Sequence, residues 1–192
     1  MDPAPPLWIL FSGRRCSGKD TAADELQRMI GGVRASFAGL LKEDAARKHH
    51  LDLDRLFTDR KYKEEHRETL IEHGRVEREA DPDCWVRRTF EKYAQCKLVL
   101  VSDYRFPNEA EWLKKQGARV VSIYMTATEH VRVARGWKYC PEIDDDASEC
   151  SLESQLDRFT YLMPNNGDMD GLRTSLRLCV ENMRHRGIMS AK

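Results

Sequence analysis

The sequence lacks several features that mark common classes of protein. Its six cysteines include no C-x-x-C pair, so neither a zinc site nor a disulfide framework is indicated and we expect free thiols in a reducing compartment. No apolar run reaches the length of a membrane span, and the first residues lack the basic start of a signal peptide. We therefore expect a cytosolic monomer without membrane contact. The C-terminal tripeptide at 190–192 resembles a peroxisomal address only faintly, which leaves peroxisomal association open.

Net charge is also absent. Thirty-two basic side chains balance thirty-two acidic ones, so we predict no nucleic-acid partner, because such partners require an extended basic surface. The 192 residues fit one domain and contain no repeat, linker or low-complexity segment. Any local concentration of one charge sign is therefore informative.

The most informative segment is an apolar run at 7–11 that leads directly into a glycine-containing loop. Gly13 and Gly18 occupy the two glycine positions of G-x-x-x-x-G-K, and Lys19 follows. A helical pattern then extends to residue 30. This order of strand, loop and helix is typical of a loop whose backbone N–H groups surround a phosphate, with the helix dipole and the lysine adding positive potential. The alternative is a simple glycine-rich turn.

The remaining loop residues favour phosphate binding. Arg14 and Arg15 add positive charge at a helix N-terminus, where the helix dipole disfavours it, so an ordinary turn has no reason to hold them. Asp20 stands where Ser or Thr usually offers a hydroxyl to magnesium. A carboxylate is also a hard oxygen ligand, and we therefore predict that Asp20 contributes to a Mg²⁺ site.

The rest of the chain alternates predicted strands and helices. Further strands are predicted at 33–37, 97–103, 119–125 and 159–163, and helices at 39–49, 60–79, 82–93, 107–116, 128–135 and 168–186. This order predicts a three-layer α/β fold with a central, mostly parallel sheet. Ligands of such sheets bind beyond the carboxyl ends of the strands, so we expect the glycine loop, 102–105 and 164–167 to converge.

Two residues near the end of the 97–103 strand are candidates for chemistry. Asp103 stands where phosphate-loop enzymes carry a second acidic group for magnesium. The alternative is a strand-end Asp that caps the next turn. Arg105 is either a phosphate clamp or a solvated surface charge.

An irregular, polar stretch at about 130–150 is predicted to be a mobile lid. Arg132 and Arg135 lie three residues apart and share one face of a short helix, from which they can close over a transferring phosphoryl group. The alternative is a surface network of salt bridges between these arginines and Asp144–Asp146.

Further basic residues lie in the predicted helical region at 39–95. Lys63 and Arg67 are four residues apart on the predicted 60–79 helix, and Lys42 and Arg78 are further candidates. Taken alone, each of these is more often a solvated charge paired with a neighbouring glutamate. No arrangement of nucleophile and general base is evident. A phosphate acceptor needs none, because its oxygen is largely ionised at neutral pH, so the pattern favours a kinase that phosphorylates a phosphate monoester.

Segments along nearly the whole chain resemble animal-type phosphomevalonate kinase. They are 10–13 with 18–20, 41–43, 62–64 with Arg67, 78–82, 100–103, 135–137 and 145–150. The resemblance implies a nucleoside-monophosphate-kinase-like P-loop fold in one domain, with an acceptor region at about 39–95. It also implies ATP and Mg²⁺ as cofactors and transfer of the γ-phosphoryl group to (R)-5-phosphomevalonate, giving (R)-5-diphosphomevalonate for isoprenoid and sterol synthesis.

The resemblance assigns roles by position. The expected ATP-binding residues are Gly13, Arg14, Arg15, Cys16, Ser17, Gly18, Lys19, Asp20, Arg132, Arg135 and Asn166. The expected phosphomevalonate-binding residues are Lys42, Lys63, Arg67, Arg78, Arg105 and Asn165. The expected catalytic residues are Lys19, Arg15, Asp20, Arg105 and Arg135, and the expected metal ligands are Asp20 and Asp103.

Two other functions remain open at this point. The string at 102–110 also resembles deoxynucleoside monophosphate kinases, although few aromatic residues besides Tyr62 are available in the acceptor region to stack on a base. A nucleotide-dependent switch without rapid chemistry is the other alternative, but the chain has no guanine-reading N-K-x-D string.

Overall fold

The structure is a computed structural model that describes residues 5–189. The C-terminal tripeptide discussed above and the first four residues lie outside this range. Backbone contacts divide the chain into two compact units. The first contains the residues up to Arg34 and from Gln95 onward, and the second contains Ala35–Ala94.

Among the described residues, five strands form one sheet with the order β2-β3-β1-β4-β5. The strands are β1 Leu7–Ser12, β2 Val33–Ala35, β3 Leu98–Val101, β4 Arg119–Thr126 and β5 Tyr161–Pro164. β1 pairs in parallel with β3 and with β4, and β4 pairs in parallel with β5. β1 lies at the centre and every residue in it is buried, as expected for an unbroken apolar run in a parallel sheet. The predicted α/β fold with a mostly parallel sheet is confirmed.

Eleven α-helices are found in the described part of the chain. They are α1 Lys19–Ile30, α2 Phe37–His49, α3 Leu53–Thr58, α4 Arg60–Glu65, α5 Arg67–Ala80, α6 Cys84–Lys92, α7 Pro107–Lys115, α8 Glu129–Ala134, α9 Pro141–Asp144, α10 Ala147–Cys150 and α11 Met169–His185. A 3₁₀ helix covers Glu153–Arg158. Within residues 5–189, no helix combines the length and apolar character needed to cross a membrane.

The core of the first unit fixes α1, which begins where the glycine loop ends, against α11. α1 and α11 pack together on the sheet, and Leu26 and Leu176 are completely buried there beside Ile9 and Phe11 of β1. Burial of each such side chain contributes about 1.5–3 kcal/mol. The start of α1, and with it the loop that precedes it, is therefore held firmly against the sheet.

The second unit differs from the sequence prediction at one informative place. The single helix expected at 60–79 is two helices, because the backbone of His66 leaves the helical region. Tyr62 packs its ring on His66 and receives a hydrogen bond from the Asp52 amide on its hydroxyl oxygen. These contacts tie α4 to α3, a short helix that the sequence pattern did not indicate. Lys63 and Arg67 consequently lie on separate helices, and the prediction that one helix carries both was wrong.

The predicted lid at 130–150 contains short helices where the sequence analysis expected an irregular stretch. Short helices α9 and α10 follow α8, and the 3₁₀ helix begins soon after them. Asp146 caps α10 by accepting a hydrogen bond from the Ser148 amide. Local capping therefore orders this acidic segment into consecutive turns.

Candidate active site

The glycine loop between β1 and α1 has a backbone shape that only glycine fits at two positions. Gly13 has φ 130° and Gly18 has φ 94°. A Cβ atom at Gly13 would lie 2.2 Å from the Met125 carbonyl oxygen, and one at Gly18 would lie 2.3 Å from Asn165 Nδ2. Because both distances are far inside van der Waals contact, the loop is packed tightly against the ends of β4 and β5. Between the two glycines, Cys16 also has positive φ, at 60°, which is uncommon for a residue with a side chain.

Lys19 opens α1 and is buried beneath this loop. Its side chain is only 6% exposed, and Nζ donates a hydrogen bond to the Arg14 carbonyl oxygen at 3.0 Å. Burial, reinforced by the nearby charge of Arg105, lowers the pKa of Lys19 to about 8. An ammonium group in such a position is stabilised by a negatively charged ligand, which replaces the solvent that burial removed.

Ser17 supplies an unsatisfied polar atom in the same loop. The residue is 1% exposed, and its Oγ has no hydrogen-bond partner among the residues that the structure describes. A buried hydroxyl without a partner is unfavourable by roughly 1–3 kcal/mol. A ligand with oxygen acceptors inside the loop would satisfy it.

Two arginines of the loop are held by carboxylates from the segment after α8. Arg15 donates from Nη1 to Asp144 Oδ2 at 3.0 Å. Arg14 binds Glu153 through two guanidinium nitrogens, and this hydrogen-bonded pair raises the pKa of Arg14 above its usual value. The acidic partners lie more than 120 residues away in the sequence, and no local pattern indicated them.

A third arginine belongs to the same group. Arg105 follows β3, donates to Glu149 Oε2 at 2.5 Å, and its carbonyl oxygen accepts from Ser151 Oγ at 2.6 Å. Its charge is one cause of the lowered pKa of Lys19. Arg105 is therefore near the buried end of the loop, and its guanidinium is paired with a carboxylate and is not a solvated surface charge.

The two arginines of the predicted lid make different contacts. Arg135 donates to the carbonyl oxygens of Cys16, Ser17 and Asn165, at 3.4, 3.3 and 3.0 Å. Arg132 is 8% exposed, and its guanidinium carbon lies 4.0 Å from the centre of the Trp137 ring. Its Nη1 is buried without a hydrogen-bond partner in the described part of the chain. An orphaned, buried guanidinium nitrogen points to an anionic ligand.

The alternative role for these two arginines was a surface network with Asp144–Asp146, and the described contacts differ from it. Asp144 pairs with Arg15, the exposed Asp145 accepts from the Tyr139 hydroxyl, and Asp146 caps α10.

The loop after β5 adjoins the glycine loop, as the sheet topology predicted. Asn165 is 5% exposed and donates from Nδ2 to the Ser17 carbonyl oxygen at 2.8 Å. Asn166 is exposed, and its Oδ1 accepts from the Thr128 amide at the start of α8. Asn165 thus contacts the glycine loop, whereas Asn166 joins the β5 loop to the helix that carries Arg132.

The candidate metal ligands lie at the carboxyl edge of the sheet. The Asp20 side chain is 82% exposed, and its Oδ1 accepts a hydrogen bond from Ser102 Oγ at 2.6 Å. Ser102 also accepts from Arg34 at 2.9 Å and directly precedes Asp103. The Asp20 carboxylate and the Ser102 hydroxyl, which lie 2.6 Å apart, together offer oxygen ligands suited to Mg²⁺. The Ser102 hydroxyl was not among the predicted site residues, although its place at the end of a buried strand was the available signal.

The other candidate basic residues belong to the second unit. All are partly buried. Lys42 lies 4.4 Å from the centre of the Phe57 ring, Arg67 binds Glu64, and Arg78 donates to the Gly74 carbonyl oxygen at 3.1 Å. Lys63 lies on α4. The expectation that these four side chains bind phosphomevalonate remains a prediction.

One further cluster of charged groups occurs in the second unit. Asp44 and His73 are buried and hydrogen-bonded at 3.0 Å, and Glu77 lies close to both. Lys48 bridges the two carboxylates, at 3.3 Å from Asp44 and 2.7 Å from Glu77. Because the Lys48 ammonium group already lies between the carboxylate oxygens of Asp44 and Glu77, we interpret the cluster as a structural ion network and not as a metal site.

Comparison with known proteins identifies relatives of this chain by sequence. Residues 11–119 match the model of a family described as phosphomevalonate kinase. The phosphomevalonate kinase of Drosophila melanogaster is 35% identical over 171 residues, which cover 84% of this chain and 89% of the fly protein. An uncharacterized protein of Ictalurid herpesvirus 1, ORF77, is 29% identical over 79% of this chain and 69% of its own.

Solved structures resemble the fold at low sequence identity. A dephospho-CoA kinase from Campylobacter jejuni has a TM-score of 0.53 and 14% identity, covering 95% of this chain and 98% of its own. A shikimate kinase from Acinetobacter baumannii has a TM-score of 0.53 and 14% identity, covering 96% of each chain. At this identity the likeness establishes the P-loop kinase fold alone.

Proposed function

The chain belongs to the phosphomevalonate kinase family, and from this membership and the loop geometry we propose how its residues carry the reaction. It is an ATP-dependent phosphotransferase that transfers the γ-phosphoryl group of ATP to (R)-5-phosphomevalonate. The products are ADP and (R)-5-diphosphomevalonate, an intermediate of the mevalonate pathway to isoprenoids and sterols. The family match favours this acceptor over the deoxynucleoside monophosphates that the sequence also suggested.

We propose that the loop from Gly13 to Asp20 binds the phosphates of ATP. The observation that carries the proposal is the tight loop with two polar groups buried in it: the unpartnered Ser17 hydroxyl and the Lys19 ammonium. A polyphosphate supplies the oxygen acceptor that the Ser17 hydroxyl lacks and the negative charge that the buried ammonium of Lys19 lacks. The unpartnered Nη1 of Arg132 supports a further phosphate contact from α8.

Asp20, Ser102 and Asp103 are proposed to hold Mg²⁺. Asp20 and Ser102 offer oxygen atoms, and Asp103 stands two residues beyond the end of β3. When bound there, the ion would neutralise charge on the transferring phosphate oxygens. Asp20→Asn would keep the size of the side chain and remove its charge. We expect it to weaken Mg²⁺-dependent ATP binding while leaving binding of phosphomevalonate alone unchanged.

The reaction needs no general base from the protein. The second pKa of a phosphate monoester is about 6, so the acceptor oxygen is already largely ionised at neutral pH. The protein's task is to hold two polyanions end to end and to balance the charge that develops during transfer. We propose that Lys19, Arg15, Arg105 and Arg135 supply this positive charge. Arg135 is well suited, because its guanidinium already rests on the carbonyl oxygens of the phosphate loop.

The phosphate and carboxylate of phosphomevalonate are proposed to be bound by basic side chains. These are Lys42, Lys63, Arg67, Arg78 and Arg105, and Asn165 and Asn166 are the proposed amide contacts of acceptor and nucleotide. Partial burial of the basic side chains supports the assignment, because a buried cation interacts with an anion more strongly than a solvated one does.

A matched pair of variants tests the acceptor assignment. Lys63→Met should raise KM for phosphomevalonate roughly 10- to 100-fold, the equivalent of one charge-assisted hydrogen bond, with little change in KM for ATP. Lys61→Met, two residues away on α4 with a side chain 88% exposed, should behave as the unmodified enzyme. Equal effects of the two variants on KM for phosphomevalonate would contradict the assignment.

The reaction itself is tested by following ADP release with phosphomevalonate and with each deoxynucleoside monophosphate as acceptor. We expect turnover with phosphomevalonate and Mg²⁺ and only background with the nucleotides. Turnover of a nucleotide alone would overturn the proposed acceptor.

We also propose that the enzyme acts as a monomer in the cytosol. All six cysteines are free thiols, which supports a reducing compartment. Light scattering after size-exclusion chromatography tests the first point, since a 22.3 kDa chain should give the monomer mass. Fractionation of cells separates cytosol from peroxisomes and tests the second.

A further inference from the structure

Asp144 is a buried carboxylate that the reaction described above does not use. It is the last residue of α9 and is 1% exposed. Its Oδ1 accepts from the indole N–H of Trp137 at 3.0 Å, and its Oδ2 accepts from the Cys140 amide at 2.9 Å and from Arg15 Nη1 at 3.0 Å. Three donors converge on one carboxylate, so it cannot leave without stranding buried polar groups.

The hydrogen bonds of Asp144 connect it to two arginines of the proposed phosphate site, to one directly and to the other through Trp137. Arg15 is bound directly and is only 17% exposed along its side chain. Trp137 is bound through its indole nitrogen, and its ring lies beneath the guanidinium of Arg132. Because the hydrogen bond fixes the orientation of the Trp137 ring, it also restricts the position of the Arg132 guanidinium that stacks on this ring.

We propose that Asp144 is a positioning residue that orients Arg15 directly, and Arg132 through Trp137, toward the phosphates of ATP. The inference rests on the proposed function, because it assumes that Arg15 meets the nucleotide. It differs from the sequence-based alternative, in which Asp144 neutralises the arginines of α8 on the surface. In our proposal, Asp144 is buried, belongs to the segment after α8, and holds Arg15 of the glycine loop in place.

The other acidic partners of the loop serve as an internal comparison. Glu153 holds Arg14, but both side chains are about one-third exposed. Glu153 also has a single further contact among the described residues, the Tyr124 hydroxyl at 3.4 Å. A partly exposed pair of this kind can exchange its carboxylate for a phosphate, whereas the buried carboxylate of Asp144 is held by three donors.

The first experiment measures steady-state kinetics of Asp144→Asn with ATP as the varied substrate. We expect kcat/KM for ATP to fall about 10- to 100-fold, as when a group that orients a primary ligand is removed. KM for phosphomevalonate should stay within about twofold, because Arg15 is assigned to the nucleotide. Asp145→Asn is the matched control, since it makes the same charge change on the adjacent exposed residue. We expect its kinetics to equal those of the unmodified enzyme, and equal losses in the two variants would overturn the proposal.

A double-mutant cycle separates positioning from packing. In an Arg15→Met background, the effect of Asp144→Asn on kcat/KM for ATP should fall to about the three- to tenfold that the route through Trp137 to Arg132 carries, because the arginine that Asp144 binds directly is gone. A factor that is the same in both backgrounds would refute the proposal. If Arg15→Met alone leaves ATP use unchanged, the proposed nucleotide site itself is wrong, and the two failures are thus distinguishable.

A second variant keeps the test decisive if Asp144→Asn does not fold. Trp137→Phe removes the indole N–H and retains both the aromatic ring and the carboxylate. We expect kcat/KM for ATP to fall about three- to tenfold, less than for Asp144→Asn, because this hydrogen bond acts on Arg132 only through the ring and leaves the pairing of Arg15 intact. Unchanged ATP kinetics in this variant would overturn the role assigned to Trp137 and with it the link to Arg132.

Discussion

Replacing Lys19 with methionine should separate the catalytic use of its charge from the effect of that charge on stability. Methionine keeps a long apolar side chain and removes the ammonium group. Lys19 is 6% exposed, and its pKa is lowered from the usual 10.5 to about 8. A shift of this size corresponds to about 3 kcal/mol by which the folded, ligand-free protein disfavours the charged form.

The expected change in stability follows from this shift. At pH 7 Lys19 is charged in both the folded and the unfolded chain, so the unfavourable burial of its charge is fully present. Lys19→Met removes that penalty and leaves the Arg14 carbonyl oxygen without its donor, a loss of about 1–3 kcal/mol. We expect the ligand-free variant to be as stable as the unmodified protein at pH 7 or up to about 2 kcal/mol more stable.

The pH dependence has a definite sign. Between pH 8 and pH 10.5 the unfolded chain binds more protons at Lys19 than the folded chain, so this group makes stability rise with pH. The advantage of Lys19→Met should therefore shrink across this window. Urea unfolding at several pH values measures it, and Lys61→Met, with its exposed side chain, is the control that should stay within about 0.5 kcal/mol of the unmodified protein.

Activity should move in the opposite direction. Because Lys19 is proposed to clamp the transferring phosphate, loss of its charge should lower turnover by at least about two to three orders of magnitude. A variant that is inactive yet at least as stable as its parent has lost a charge and not its fold. The reasoning would be refuted by near-normal turnover, or by a variant that is less stable by the same amount at every pH.

Two more substitutions test the loop and the helix that follows β4. Gly18→Ala places a methyl group against Asn165 at a residue with φ 94°, so it should destabilise the protein by about 1–2 kcal/mol or more and abolish ATP binding. Gly167→Ala, which meets no atom within 4 Å, is its control, and equal effects in calorimetry would show that the loop is not tightly packed. Arg135→Ala should reduce kcat about 10²- to 10³-fold with a small change in KM for phosphomevalonate. Steady-state kinetics check this, and a change confined to that KM would reassign Arg135 to the acceptor.

Several elements were predictable because their causes are local. The buried strand β1 follows from an unbroken apolar run, and the glycine loop follows from two glycines at a spacing that allows positive φ. The convergence of Asn165 on the loop followed from topology, since the carboxyl ends of parallel strands meet at one edge. The family resemblance added an expected role for each of these residues, and the assignment to the phosphomevalonate kinase family was confirmed.

Other features depend on partners that the sequence places far apart. The break at His66 depends on contacts of Tyr62 with His66 and with the start of α3. The helical pattern of residues 60–79 cannot predict contacts with a residue outside that segment. The short helices after α8 were likewise interpreted as an irregular stretch.

The sequence by itself determined that this chain has a phosphate loop on a mostly parallel sheet, because glycine spacing, charge and apolar runs act over a few residues. Only the tertiary structure decided which carboxylate faces which arginine. Asp144 reaches Arg15 across 129 positions of the chain, and Glu153 reaches Arg14 across 139. Such pairs form because the order of strands in the sheet brings distant loops to the same edge, and that order is a property of the packed molecule.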